Sequence, residues 1–206
     1  MRTAKTRPRQ QYVIMTLLAA SLPILMLGQK NLVMNGGFEN GDQIPSWHYR
    51  EIYKENAIVA LNKSQSYNGK YSLMASMPVA GKRAEFEQHI RLSSGSKPLH
   101  LKASIAAKVD SNSSAIALIY FYSHGKNVRT DYFKDGRFIN NDWQKFENHI
   151  YLPANVDSVT INLRTYGPGT AWFDEVRIEQ VNTNEKPGAT VIKVVDDALQ
   201  FAKNNY

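Results

Sequence analysis

The acidic residues are the first place to look for chemistry. Glu85 and Glu87 stand two positions apart in AEFEQHIRL, residues 84–92, which on a strand puts both carboxylates on one face about 7 Å apart. Glycoside hydrolysis uses two acids, but it needs them across a substrate. Two acids on one exposed strand face read as a solvated edge. Glu39 follows Phe38, and Asp174 follows Trp172 and Phe173, so each of these acids is set among large apolar residues. If two such carboxylates converge, they repel unless one takes a proton or a cation lies between them. The five histidines, at 48, 89, 100, 124 and 149, show no ligand spacing and read as strand-face and loop residues. There is no G-x-S-x-G, no H-E-x-x-H and no phosphate loop. Without cysteine, disulfides, thiolate metal sites and cysteine catalysis are excluded as well. No catalytic constellation assembles, and the reading is of a non-enzyme.

The elements that must position these residues read as short strands. In HLKASIAAK, residues 100–108, Leu101, Ala103, Ile105 and Ala107 alternate with His100, Lys102, Ser104 and Lys108. Residues 84–92 send Ala84, Phe86, Gln88, Ile90 and Leu92 one way and Glu85, Glu87, His89 and Arg91 the other. In residues 158–166, Val159, Ile161 and Leu163 alternate with Ser158, Thr160, Asn162, Arg164 and Tyr166. A period of two is the mark of a half-buried strand. AIALIYFY, residues 115–122, is apolar on both faces and reads as a central strand whose second face is covered or lines a groove. Turn residues such as Asn68-Gly69, Asp135-Gly136 and Gly167-Pro168-Gly169 punctuate the series. About ten such segments without an intervening helix predict an all-β chain, an antiparallel β-sandwich spanning residues 30–181.

The chain has 206 residues and a formal charge of +7. Four of its 25 basic residues, Arg2, Lys5, Arg7 and Arg9, fall in the first eleven positions and leave 21 bases against 18 acids, a net of +3. That is an ordinary mixed surface, so the excess charge is no argument for nucleic acid. Residues 12–28 follow with seventeen positions free of charge. A basic run ahead of an apolar one predicts that residues 1–29 are either a signal peptide or an N-terminal membrane anchor. Both place the sandwich outside the cytoplasm, as a periplasmic, cell-surface or secreted domain. Residues 182–189, NTNEKPGA, read as a linker. In residues 190–206, Val191, Val194, Val195, Ala198, Leu199 and Ala202 fall on one helical face with Thr190 as N-cap. This amphipathic helix either docks on the sandwich or serves as a dimerising or partner-binding element.

Two stretches are the most specific text in the chain: NLVMNGGFENGDQIPSW at residues 31–47 and TAWFDEVRIEQ at residues 170–180. Between them come NGKYSLMAS (68–76), QHIRL (88–92) and DWQKFENHIYLP (142–153) in order. This arrangement resembles the carbohydrate-binding modules of families 4, 9 and 22, which are galactose-binding-domain-like jelly rolls. The resemblance covers residues 31–180. It implies a jelly-roll β-sandwich, a glycan as partner, and a structural Ca²⁺ held by Glu39 and Asp174. Alternatively, one acid caps a turn and the other pairs with Arg177 or a lysine. In the resembled modules the ligand lies on the concave face or at the loop edge. The candidates there are Tyr120, Tyr122, Asn162, Arg164 and Tyr166, with Glu147 and His149 on a strand nearby in the family order. Trp47, Trp143 and Trp172 fall inside motifs that look like packing positions and are expected in the core. The reading is an exported carbohydrate-binding protein that reversibly holds a poly- or oligosaccharide. Its rival is a membrane-tethered, extracytoplasmic interaction or sensory module. That module would bind a protein through the same sandwich or through the C-terminal helix.

Overall fold

Alternating residues fold into antiparallel strands because one parity can be buried while the other meets water. A computed structural model describes residues 30–41, 46–50, 57–92, 98–110 and 113–181. Its ten strands are β1 (His48–Tyr49), β2 (Ile58–Asn62), β3 (Ser72–Met77), β4 (Arg83–Arg91) and β5 (Leu99–Val109), followed by β6 (Ser114–Ser123), β7 (Lys126–Tyr132), β8 (Gln144–Leu152), β9 (Ser158–Tyr166) and β10 (Gly169–Gln180). They form two five-stranded sheets, the first in the order β1-β4-β9-β6-β7 and the second in the order β2-β3-β10-β5-β8. Every pairing is antiparallel. The described residues contain no helix, and none therefore long and apolar enough to cross a membrane. The apolar segment at 12–28, the linker and the amphipathic segment at 190–206 lie outside the described residues.

The core fills the space between the sheets with the parity that the sequence predicts. Phe86, Ile161, Leu163, Ile119 and Phe121 come from the first sheet, and Leu73, Met77, Leu101, Ile105 and Phe173 from the second. Burying each large side chain of this kind contributes about 1.5–3 kcal/mol. Strand β6 lies inside its sheet, between β9 and β7, as its apolar composition requires. Trp47 is a core residue. Its ring stacks on Phe86 at 6.0 Å and meets Phe38 at 5.6 Å, while its Nε1 donates to the Met34 carbonyl at 3.1 Å.

The other two tryptophans correct the expectation. Trp172 is flanked by Ala171 and Phe173, both fully buried, so strand parity turns its ring to the outer face of the second sheet. It is half-buried there, with the Lys108 ammonium 5.1 Å from the ring centroid. Trp143 precedes β8 and is half-buried against Tyr67, with ring centroids 5.8 Å apart.

The chain's first described residues close on its last strand. Asn31 bridges Glu179, Leu32 N donates to the Ile178 carbonyl at 2.8 Å, and Val176 N donates to the Gly36 carbonyl at 2.9 Å. Gly36 is required by proximity, because a β-carbon there would stand 1.9 Å from the Val176 carbonyl oxygen. The left-handed conformations of this turn fall instead on Asn35 (φ 49°) and Phe38 (φ 57°), and Phe38 plugs the core.

Candidate functional site

The outer parity of β4, β9 and β6 brings the polar candidates together. Register places Glu87 opposite Asn162 and Glu85 opposite Arg164. On the other side of β9, Leu118 faces Asn162 and Tyr120 faces Thr160. His48 of β1 stands opposite Glu87. Charged and amide side chains thus run in rows across adjacent strands, close enough to bond directly.

The centre of this face is a closed hydrogen-bond network. Arg164 Nε donates to Asn162 Oδ1 at 2.8 Å, and its Nη2 donates to the Tyr120 hydroxyl at 2.6 Å. Asn162 Nδ2 donates to Glu85 Oε2 at 3.2 Å and to Glu87 Oε2 at 3.4 Å. Glu85 also pairs with Arg83, with Arg164 at 3.2 Å and with Arg50 at 3.9 Å, while Glu87 meets Arg50 at 3.8 Å.

The Glu85 side chain is 1% exposed. This corrects its reading as a solvated edge: three guanidinium groups and an amide replace its water. Only Glu87, at 30% exposure, keeps the solvated character expected of both. Asn162 is wholly buried beneath its neighbours, so it orients Arg164 and the two acids and offers no surface of its own. Tyr120, Arg164, Glu87 and Arg83 are the groups of this network that reach the surface together with Arg50.

The remaining candidates lie around or away from this centre. Tyr122 is on the same face, where its ring packs edge-on against His89 at 6.4 Å, and His89 Nδ1 lies 3.0 Å from the Thr160 hydroxyl. Tyr166 is on the same face of β9, but the Arg137 guanidinium covers its ring at 4.2 Å. Glu147 and His149 do not join this face. Strand β8 pairs with β5 at the edge of the second sheet, and that corrects their placement near the others. Glu147 there bonds Lys102 at 2.9 Å, which holds its carboxyl below the usual range. His149 Nδ1 lies 2.9 Å from His100 Nε2, and His100 stacks on Tyr151 at 4.2 Å. Arg50, Arg83 and His48 are the members of the first-sheet site that the sequence reading leaves out, and Glu85 and Glu87 are those it sets aside as a solvated edge. Their signal was parity on β4, since acids at 85 and 87 share a face. It becomes informative only once β9 is known to lie alongside.

Glu39 and Asp174 converge on the loop that joins β2 to β3. Glu39 Oε1 accepts from the amides of Lys70 (2.8 Å) and Tyr71 (2.9 Å). Asp174 Oδ2 accepts from the amides of Tyr67 (2.9 Å) and Asn68 (3.1 Å), and its Oδ1 from that of Glu175 (2.7 Å). Both acids therefore cap a turn, and the partner of Arg177 is Glu175. Gly69 of this loop has φ 72°, and a β-carbon on it would stand 2.4 Å from Glu39 Oε1. Burial raises the Asp174 carboxyl from 3.8 to about 6 despite its three amide bonds. A carboxylate offers about four lone-pair directions. Some oxygen capacity thus remains beyond the five amide bonds, of the kind a hard cation such as Ca²⁺ takes. Among the described residues no group of three or more acidic or histidine side chains gathers at one point.

No protein-family model matches the chain, and no curated protein does. Solved structures do. The CBM22-1 xylan-binding domain of Paenibacillus barcinonensis Xyn10C is similar with a TM-score of 0.54 and 16% identity, over 75% of this chain and 97% of that one. TmCBM61, solved in complex with β-1,4-galactotriose, is similar with a TM-score of 0.52 and 16% identity, over 74% of this chain and all of that one. The enzymatically active domain of tailspike protein 4 from Bacteriophage CBA120 reaches a TM-score of 0.55 at 18% identity, over 73% of this chain. This chain spans only 21% of that tailspike domain. At such identities the likeness is one of fold. The described chain is a two-sheet β-sandwich whose fold is similar to that of the CBM22, family 16 and CBM61 carbohydrate-binding modules.

Proposed function

We propose that the chain is an exported, non-catalytic carbohydrate-binding protein that reversibly holds a poly- or oligosaccharide on the outer face of its first sheet. The observation that carries this reading is the Tyr120–Arg164–Asn162–Glu85 network. Sugar recognition needs an aromatic surface for pyranose C–H groups and fixed polar groups for hydroxyls. Tyr120 supplies the ring, and Arg164, oriented by Asn162 and Glu85, supplies donors whose positions are set before ligand arrives. Glu87 supplies an acceptor beside them. Rigid polar groups reduce the ordering cost of binding. The xylan-binding and galactotriose-binding modules that share this fold support a glycan as the partner class.

The absence of catalysis belongs to the same proposal. Glu85 and Glu87 sit on one strand, and Glu85 is enclosed by arginines, so this pair is not placed to act on opposite sides of a glycosidic bond. Export rests on the basic run and the apolar segment at residues 12–28, which also tether the chain to the membrane if they are retained. Calcium at Glu39 and Asp174 is a further part of the proposal. Supporting it are two carboxylates on one loop and the burial that makes the Asp174 charge costly. A bound ion would offset that charge and brace the loop.

Binding of the full chain to a panel of neutral polysaccharides, including xylan and β-1,4-galactan, tests the reading. Tyr120→Ala, which leaves the Glu85 ion pairs in place, is expected to weaken retention about tenfold or more, a loss of about 1.4 kcal/mol. Glu87→Gln is expected to weaken it less. No retention on any polysaccharide, or retention indifferent to Tyr120→Ala and Arg164→Ala alike, would overturn the assignment.

A further inference from the structure

The loop joining β2 to β3 is held from several directions. Asn62 Oδ1 accepts from the amides of Ser64 (3.0 Å) and Gln65 (2.8 Å), the Ser72 hydroxyl donates to the Gln65 carbonyl, and Glu39 and Asp174 take the amides of residues 67, 68, 70 and 71. On this fixed loop lies a cavity of about 420 Å³ lined by Lys63, Ser66, Gly69, Lys70 and Tyr71. The Lys63 ammonium is 5.4 Å from the centroid of the Tyr71 ring. Neither lysine forms an ion pair among the described residues. Glu39 directs its Oε1 to two of the loop amides. A second lysine–aromatic pair borders the same loop: Lys108 lies over Trp172 and donates to Gln65 Oε1 at 2.9 Å.

Two ammonium groups beside an aromatic ring, on a loop that cannot collapse, are matched to a ligand with both an anionic group and an apolar surface. The cavity falls within the roughly 300–1,000 Å³ of small-ligand sites, which is more room than a bare anion needs. We propose that it is a second, acidic-glycan site. Lys63 and Lys70 take the carboxylate of a uronate residue, and the Tyr71 ring takes sugar C–H surface. Lys108 and Trp172 offer the same pairing to a further residue of the chain. This proposal rests on the glycan-binding reading but uses a different sheet, and the two sites can fail separately.

Calorimetric titration of the full chain with tri-galacturonate and with neutral galactotriose is the test. Lys63→Gln combined with Lys70→Gln is expected to weaken tri-galacturonate binding about tenfold or more and to leave neutral-sugar binding unchanged. Arginine at both positions is expected to restore most of the loss. Three results would overturn the second site: no tri-galacturonate binding, binding indifferent to the lysine pair, or displacement by an equal concentration of inorganic phosphate. Binding of tri-galacturonate lost only with Arg164→Ala would also overturn it, because the acidic sugar would then occupy the first sheet. If tri-galacturonate binds through the lysines while no neutral sugar binds, the second site stands and the first-sheet assignment fails.

Discussion

Glu85→Gln changes one atom type and keeps the shape of the side chain, yet it removes the only negative charge fully enclosed by the first-sheet network. The wild-type carboxylate is 1% exposed and faces Arg83, Arg164 at 3.2 Å and Arg50 at 3.9 Å. Arg164 is itself 14% exposed, so the substitution leaves a largely buried guanidinium beside a neutral amide. Breaking one side of a buried pair costs about 3–5 kcal/mol. Arg50 and Arg83 can recover water, being 49% and 31% exposed, which puts the expectation at the lower end, about 3 kcal/mol. For a chain of this size that corresponds to a fall in Tm of about 6–12 °C. Glu87→Gln is the matched control. Glu87 is 30% exposed and its one ion pair among the described residues is with the more exposed Arg50, so its loss is expected to cost under about 1 kcal/mol. Urea unfolding of the three proteins at pH 7 measures both costs. Equal, small costs for the two substitutions would refute the buried network and return Glu85 to a solvated strand face.

Asp174 gives a pH signature of the opposite sign to ordinary acid denaturation. Its folded-state value of about 6 lies above the ordinary 3.8, so its contribution to stability is fully present below 3.8 and is lost as pH rises through 6. The gap corresponds to about 3 kcal/mol; in EDTA, where no cation holds the carboxylate, the wild type is expected to gain relative to Asp174→Asn on going from pH 7 to pH 4, and a flat difference would contradict this. Gly36→Ala drives a methyl group into the Val176 carbonyl, 1.9 Å from the ideal β-carbon, and is expected to cost about 3 kcal/mol or more by thermal melting. A bound calcium ion must stabilise the folded state. EDTA is therefore expected to lower the Tm of wild type but not of Glu39→Gln, and an unchanged wild-type melting point would remove the ion.

The strands were legible because their half-buried faces impose a period of two that needs no partner to be seen. β4, β5 and β9 carry it with one break each, at Gln88, Ala106 and Thr165, and the two-faced apolarity of β6 announced an interior position. What pairs with what is a different kind of information. Asn162 and Glu85 are 77 residues apart, and only the register of β4 on β9 converts an acid on a strand face into a buried ion pair. Glu147 misled for the same reason, since nothing local in β8 states which sheet it will join. Trp172 could have been placed correctly by its own neighbours. Ala171 and Phe173 are core residues, and the residue between them on a strand must face away. The lysine-lined cavity had no linear signature, because the loop that forms its walls is held in shape by carboxylates from Glu39 and Asp174 at the two ends of the sandwich sequence.

The position of β10 governs when this domain can exist at all during synthesis. The last strand of the sandwich is the middle strand of the second sheet, paired to β3 on one side and β5 on the other. Until residue 180 has emerged into the compartment where the domain folds, β2-β3 and β5-β8 are separate pairs, each with a bare inner edge open to other chains. The first sheet can already assemble, since β1, β4, β6, β7 and β9 all precede β10, but it has no completed partner against which to bury its core face. Contacts this distant in sequence form slowly. The nascent chain must therefore hold an unpaired apolar surface until its final strand is inserted, and its demand for chaperones falls in that interval.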